Sequence, residues 1–168
     1  MENDCINLGP RKASAKNLAR KLIKDAKIQE APVSLQKIIE HLQLSHKLYV
    51  EKASFATEVS GLIVKCKAVD SEYYVLGFNE NHPWCRRRFT IAHEIGHLLF
   101  GHVCKKESED NSGNEKEADI FAAELLIPKE LIKKDFLKTP NIPELSKLYR
   151  VSGEALSIKL GEDRLLKF

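Results

Sequence analysis

Apolar side chains recur at helical spacing over residues 14–30, SAKNLARKLIKDAKIQE, where Leu18, Leu22 and Ile23 share a face beside Ala19 and Ala26. APVS interrupts that pattern, and Ser34 is placed to cap a short second helix carrying Leu35, Ile38, Ile39 and Leu42. Three runs rich in Val, Ile, Tyr and Leu follow at 47–52, 59–67 and 72–79, with polar residues between them. They predict a small three-stranded antiparallel meander. ENHPWCRRR then reads as a link from the sheet to a helix at about 89–102. KKESEDNSGN, 105–114, has few apolar side chains and reads as a surface loop. A helix over 115–127 stops at Pro128, another covers 129–138, TPNIP is a linker, and 143–161 reads as two short helices. Helices, then strands, then helices imply an α+β fold, a small sheet packed with helices and closed by a C-terminal helical pair.

Composition narrows this only by exclusion. A chain of 168 residues suffices for one domain with a core, and 43% hydrophobic with 30% charged residues is ordinary for a soluble protein. The net charge of +3 is too small to argue for nucleic acid. No apolar run reaches the roughly 18 residues of a membrane span. MENDCINLGPRKAS lacks the apolar segment of a secretory signal, so the cytoplasm is the expected compartment. Cys5, Cys66, Cys85 and Cys104 are widely spaced and read as free thiols. A redox role for Cys85 and Cys104, which flank the helix at 89–102, has little to support it.

FTIAHEIGHLLFGH, residues 89–102, sets two histidines and a glutamate inside an otherwise apolar helix. His93-Glu94-Ile95-Gly96-His97 fits H-E-x-x-H. At about 100° per residue, positions i and i+4 lie about 40° apart, so both imidazoles point at one spot, as tetrahedral Zn²⁺ requires. Glu94 lies beside that spot, where it can take a proton from water without being a ligand. Ile91, Ile95, Leu98 and Leu99 face the core. The bland alternative is a pair of core histidines satisfied by backbone carbonyls.

A catalytic zinc needs about three protein ligands. The metzincin pattern would require Gly at 100 and His at 103, where this chain has Phe100 and Val103. His102 falls about 140° round the helix from His97 and reads as a surface or helix-terminal histidine. A second helix offers Glu115, Glu117 and Glu124. From Glu115, residues Asp119, Ala122 and Leu126 share one face, whereas Glu117 and Glu124 point about 160–180° away and read as solvated charges. Glu115 is therefore the expected third ligand. Asp119, one turn on, is placed to accept the other N–H of His93 and fix its tautomer.

RRFTIAHEIGHLLFGH, the polar loop and EKEADIFAAELLIP together resemble the ImmA/IrrE family of zinc metallopeptidases, over roughly residues 14–138. The E-x-x-x-D spacing also resembles the gluzincin pattern of thermolysin. By this resemblance His93, His97 and Glu115 match the Zn²⁺ ligands and Glu94 the catalytic base. Position 119 is often asparagine in the family, so Asp119 is a mild departure. The resemblance implies a zincin-like minimal peptidase domain, 1–138, with a short helix-turn-helix-like extension, 139–168. It also implies cleavage of a helix-turn-helix repressor to release the repressor's genes. Two other readings stay open: a non-catalytic anti-repressor that sequesters the repressor, and DNA binding by the C-terminal helices. The second is the weaker, because no basic recognition face is evident there and Leu145, Leu148, Val151, Ala155 and Leu156 read as packing residues. Substrate would bind extended along a sheet edge. Tyr73, Tyr74, His82 and Arg86 to Arg88 are candidates to stabilise an oxyanion.

Overall fold

The computed structural model describes residues 11–102 and 111–166. The elements run α1 (Lys12–Asp25), α2 (Leu35–Gln43), β1 (Leu48–Ala53), β2 (Gly61–Ala68), β3 (Ser71–Asn79), α3 (Trp84–Phe100), α4 (Ser112–Leu126), α5 (Lys129–Lys138), α6 (Ile142–Tyr149) and α7 (Gly153–Glu162). The fold is α+β. Ser34 caps α2 as expected, its side chain accepting from the Lys37 N–H. Most of the expected 105–114 loop, with Cys5 and Cys104, lies outside the described residues, and Ser112–Asn114 belong to the first turn of α4.

The sheet is mixed, which corrects the antiparallel meander. Its order is β1-β3-β2, with β2 antiparallel to β3 but β1 parallel to it, Leu48 pairing with Tyr74. β1, with Glu51 and Lys52, and β2, with Lys65 and Lys67, lie at the edges. β3, whose Leu76, Gly77 and Asn79 are buried, takes the centre. Residues 54–60 must then cross from β1 to the far edge. Asn79 holds that crossing: its Nδ2 donates to the carbonyls of Phe55, Ala56 and Val59.

α3 also begins earlier than expected. Pro83 precedes it with φ −54°, preset for helix entry, so WCRRR is its first turn and not a link. Arg88 there is buried and donates to the Val33 carbonyl, so this turn is anchored by hydrogen bonding where apolar periodicity is weak.

Core side chains from α1 through α7 form one cluster, in which Ile95, Phe121, Leu125, Tyr149, Leu156 and Leu160 are fully enclosed. Leu145 and Val151 join it, while Leu148 stays exposed. α4 runs through its centre. Glu117 and Glu124 on that helix, expected in solvent, are buried at 5% and 0% exposure. The reason is charge pairing. Arg11 grips Glu117 through Nε and Nη2, both at 2.9 Å, and through its backbone N–H. Glu124 meets Arg20 Nε and Lys159 Nζ at 2.7 Å each, and Lys159 also reaches Asp163 at 2.7 Å. A buried carboxylate with two cations escapes most of the penalty of desolvation. These pairs tie α1 and its entry to both ends of α4, and α7 to the end that carries Glu124.

The hydrogen bonds from Arg11 hold Glu117 down to about 2. A carboxylate depressed in the folded state stabilises the fold above its unfolded value near 4 and loses that contribution as pH falls toward 2. Discounted for solvent around the half-exposed Arg11, the contribution is on the order of 2 kcal/mol. Urea unfolding of wild type and Glu117→Gln should therefore differ by about that much at pH 7 and converge near pH 2.

Candidate metal centre

The close approach of α3 to α4 creates the site. Gly96 faces Ala118 and Phe121, and a Cβ at position 96 would sit 3.2 Å from Ala118 Cα and 3.1 Å from Phe121 Cδ1. Because α3 puts no side chain into this contact, its ridge carrying His93 and His97 lies directly beside the first turns of α4, which carry Glu115 and Asp119.

His93, His97 and Glu115 converge, each offering one ligand atom, with all three atoms within 4.8 Å of one another. His93 Nε2 lies 2.9 Å from His97 Nε2 and 3.2 Å from Glu115 Oε2, and His97 Nε2 lies 3.3 Å from Glu115 Oε1. Asp119 Oδ1 is 2.9 Å from His93 Nδ1. An ionised carboxylate only accepts, so Nδ1 carries the proton and Nε2 turns a lone pair toward its neighbours. Three acceptor atoms facing one point form a donor set that suits a divalent cation of the zinc type.

Glu94 is buried beside this cluster, and the Ile63 backbone N–H of β2 hydrogen-bonds it. Together with Gly61, Leu62, Asn111 and Asn114, the five residues Ile63, His93, Glu94, His97 and Glu115 line a cleft of about 360 Å³, into which His102 also faces. β2 is an edge strand along that cleft, unpaired on this side among the described residues.

The other sequence candidates scatter. Arg86 borders the cleft and donates to Ser60 Oγ. His82 Nε2 lies 2.9 Å from the Thr57 carbonyl, tying down the 54–60 crossing. Tyr73 meets Tyr49 edge-on, away from the cleft, Tyr74 packs on the core, and Arg87 covers Trp84. His102 corrects its expected place. It is buried, and its Nδ1 lies 3.0 Å from His97 Nδ1. The helix does not continue to 102: Gly101 adopts φ 71°, a left-handed turn open to glycine, and swings the next residue back over α3. A glycine directly after an apolar helical run is the signal that could have foretold it.

A sequence profile for the IrrE N-terminal-like domain, a peptidase family, matches residues 44–161. The chain belongs to this family. The IrrE N-terminal-like match covers the sheet, both helices of the candidate centre, and α5 and α6. Among solved structures, a Mycobacterium tuberculosis transcriptional regulator has a similar fold, with a TM-score of 0.62 and 13% identity. The similarity covers 85% of this chain and 44% of that one, so the chain spans less than half the length of that regulator. No curated protein matches the chain at a significant level. Among the described residues, no helix is long and apolar enough to cross a membrane.

Electrostatics within this IrrE-like centre set its two histidines apart. Burial, then the neighbouring His93, hold His97 down to about 4. Burial also pulls His93 down, but its hydrogen bond to Asp119 and the charges of Asp119, Glu94 and Glu115 outweigh it, leaving His93 raised. Burial pushes Glu94 up to about 7, against the opposing influence of His93.

Filling the gap at position 96 should show how closely the centre depends on helix spacing. Gly96→Val should lower stability by roughly 1–3 kcal/mol and weaken zinc binding as α4 is pushed away. Calorimetry of zinc binding to the folded variant checks this; wild-type affinity would mean that the spacing does not control the site.

Proposed function

We propose that the protein is a zinc-dependent endopeptidase that cleaves a helix-turn-helix transcriptional repressor and so releases the repressor's genes. The observation that carries this reading is the convergence of His93, His97 and Glu115 next to a buried Glu94, in a cleft edged by a free strand. The two imidazoles and Glu115 would hold the ion. Zinc bound there supplies Lewis acidity, which acidifies a water and polarises a scissile carbonyl. Glu94 takes a proton from the attacking water and returns it to the departing amine. Its folded-state value of about 7, set by burial, suits a group that must do both near neutrality.

The peptide adds as a strand along β2, with Gly61, Leu62 and Ile63 beneath it and its carbonyls ordered by backbone pairing. Asp119 holds His93 in the ligating tautomer. Membership of a peptidase family supports peptidase activity. The repressor as substrate rests on the resemblance to ImmA/IrrE peptidases, and the compartment in which the two would meet is the cytoplasm.

Two variants test the assignment. Glu115→Ala should weaken zinc binding by more than the roughly 10–100-fold expected from losing a ligand's hydrogen-bond partner, whereas Lys116→Ala, one position along the same turn, should bind as wild type in chelator competition. Equal effects would remove Glu115 from the ligand set. Glu94→Gln should retain zinc yet cut the repressor encoded beside the gene at least about 100-fold more slowly, as read on a gel. An intact, stable complex of that repressor with zinc-loaded wild type would instead mark the protein as a sequestering anti-repressor.

A further inference from the structure

We propose that His102 and Glu117 are positioning residues for His97, forming a relay that fixes this ligand's tautomer and roots it in the start of α1. The inference rests on the zinc reading above but not on the nature of the substrate. Arg11 occupies both oxygens of Glu117, through Nε to Oε1 and Nη2 to Oε2 at 2.9 Å each. Glu117 is therefore an acceptor only. His102 is 8% exposed, stacked on Phe100 with centroids 5.4 Å apart, and its Nε2 lies 3.3 Å from Glu117 Oε2, a charge contact without hydrogen-bond alignment. The proton of a neutral His102 belongs on Nε2, facing that carboxylate. Its Nδ1 then presents a lone pair to His97 Nδ1 at 3.0 Å, so His97 must be the donor. With its proton on Nδ1, His97 is left with a lone pair on Nε2, the atom that faces His93 and Glu115.

The direction is set electrostatically: the Glu117 carboxylate cannot donate, so it favours the His102 proton on the ring nitrogen nearest it. His93 obtains the same result from Asp119 in a single bond. The two ligands are thus oriented from opposite sides, one by an exposed acid and one by a buried imidazole–carboxylate pair. Carboxylate–histidine partners of this kind raise ligand basicity and hold ring orientation. The relay also places Arg11, at the entry to α1, three contacts from His97. Arg11 further lies over the Phe100 ring, 5.2 Å from its centroid, which packs the anchor against the end of α3.

Zinc affinity and imidazole tautomers, measured on the full chain, test this. His102→Phe keeps a ring to stack on Phe100 but removes the acceptor. It should raise the zinc Kd roughly 10–100-fold while the unfolding midpoint of the metal-free protein stays near that of wild type. His102→Gln restores an acceptor oxygen and should recover most of the affinity. Wild-type zinc affinity in a folded His102→Phe variant overturns the relay. Should that variant not fold, zinc-loaded wild type decides: long-range proton–nitrogen spectra should place protons on His97 Nδ1 and His102 Nε2, and a proton on His102 Nδ1 overturns the proposal. Loss of cleavage with normal zinc binding and these tautomers would sink the peptidase reading and support the relay. Failure of wild type to bind zinc would sink both.

Discussion

The approach of α3 to α4 at Gly96 is the constraint on which the rest of the molecule depends. Two imidazoles one turn apart on a single helix define a direction but leave a metal position open to solvent on the far side. A carboxylate must be brought to that side by a second helix, close enough for its oxygen to share the point. Here the distance is set by a glycine against Ala118 and Phe121. Packing in protein interiors is dense, so a methyl group in such a contact must displace something. The apolar contact and the polar cluster are thus two consequences of one interhelix spacing.

α4 carries both functions because its acidic residues divide by face. Glu115 and Asp119 are more than half exposed and turn to the histidines, while Glu117 and Glu124 are buried against cations from α1 and α7. The burial of Glu124 between Arg20 and Lys159 stabilises the assembled arrangement more than any single helix, since neither cation comes from α4 itself. Removing one partner from such a group leaves charge without solvent, which is why buried pairs of this kind couple elements strongly even when their net contribution is small. The position of Glu115 therefore depends on helices that do not touch the centre.

Sequence periodicity carried much of this. The i, i+4 histidines, the facial grouping of Glu115 with Asp119, the cap at Ser34 and the α+β order are all local or helical features, and spacing alone encodes them. What it did not carry is long-range. β1 pairs in parallel with β3 because the most enclosed strand takes the centre, a competition among strands that no one strand displays. Glu117 and Glu124 read as solvated since their partners lie more than one hundred positions away at Arg11 and Arg20. His102 departs from ideal helix geometry because Gly101 ends the helix one residue before it.

The same left-handed residue shows how a short stretch can hold both His97 and the ring that meets it. Had α3 continued, position 102 would have faced away from His97 by about 140°. The turn at Gly101 brings His102 back over the last turn of the helix, under cover of Phe100 and against α4. A carboxylate reaching directly for His97 Nδ1 would have to come from a further element and be desolvated next to the apolar core. An imidazole spans the gap with little desolvation penalty while neutral, and places the charge one ring farther out, where Arg11 meets it from the half-solvated start of α1. His93 needs no such intermediary: the exposed Asp119 meets its Nδ1 directly. The asymmetry lies in the two supporting carboxylates: Asp119 faces solvent, and the buried Glu117 is met by an arginine.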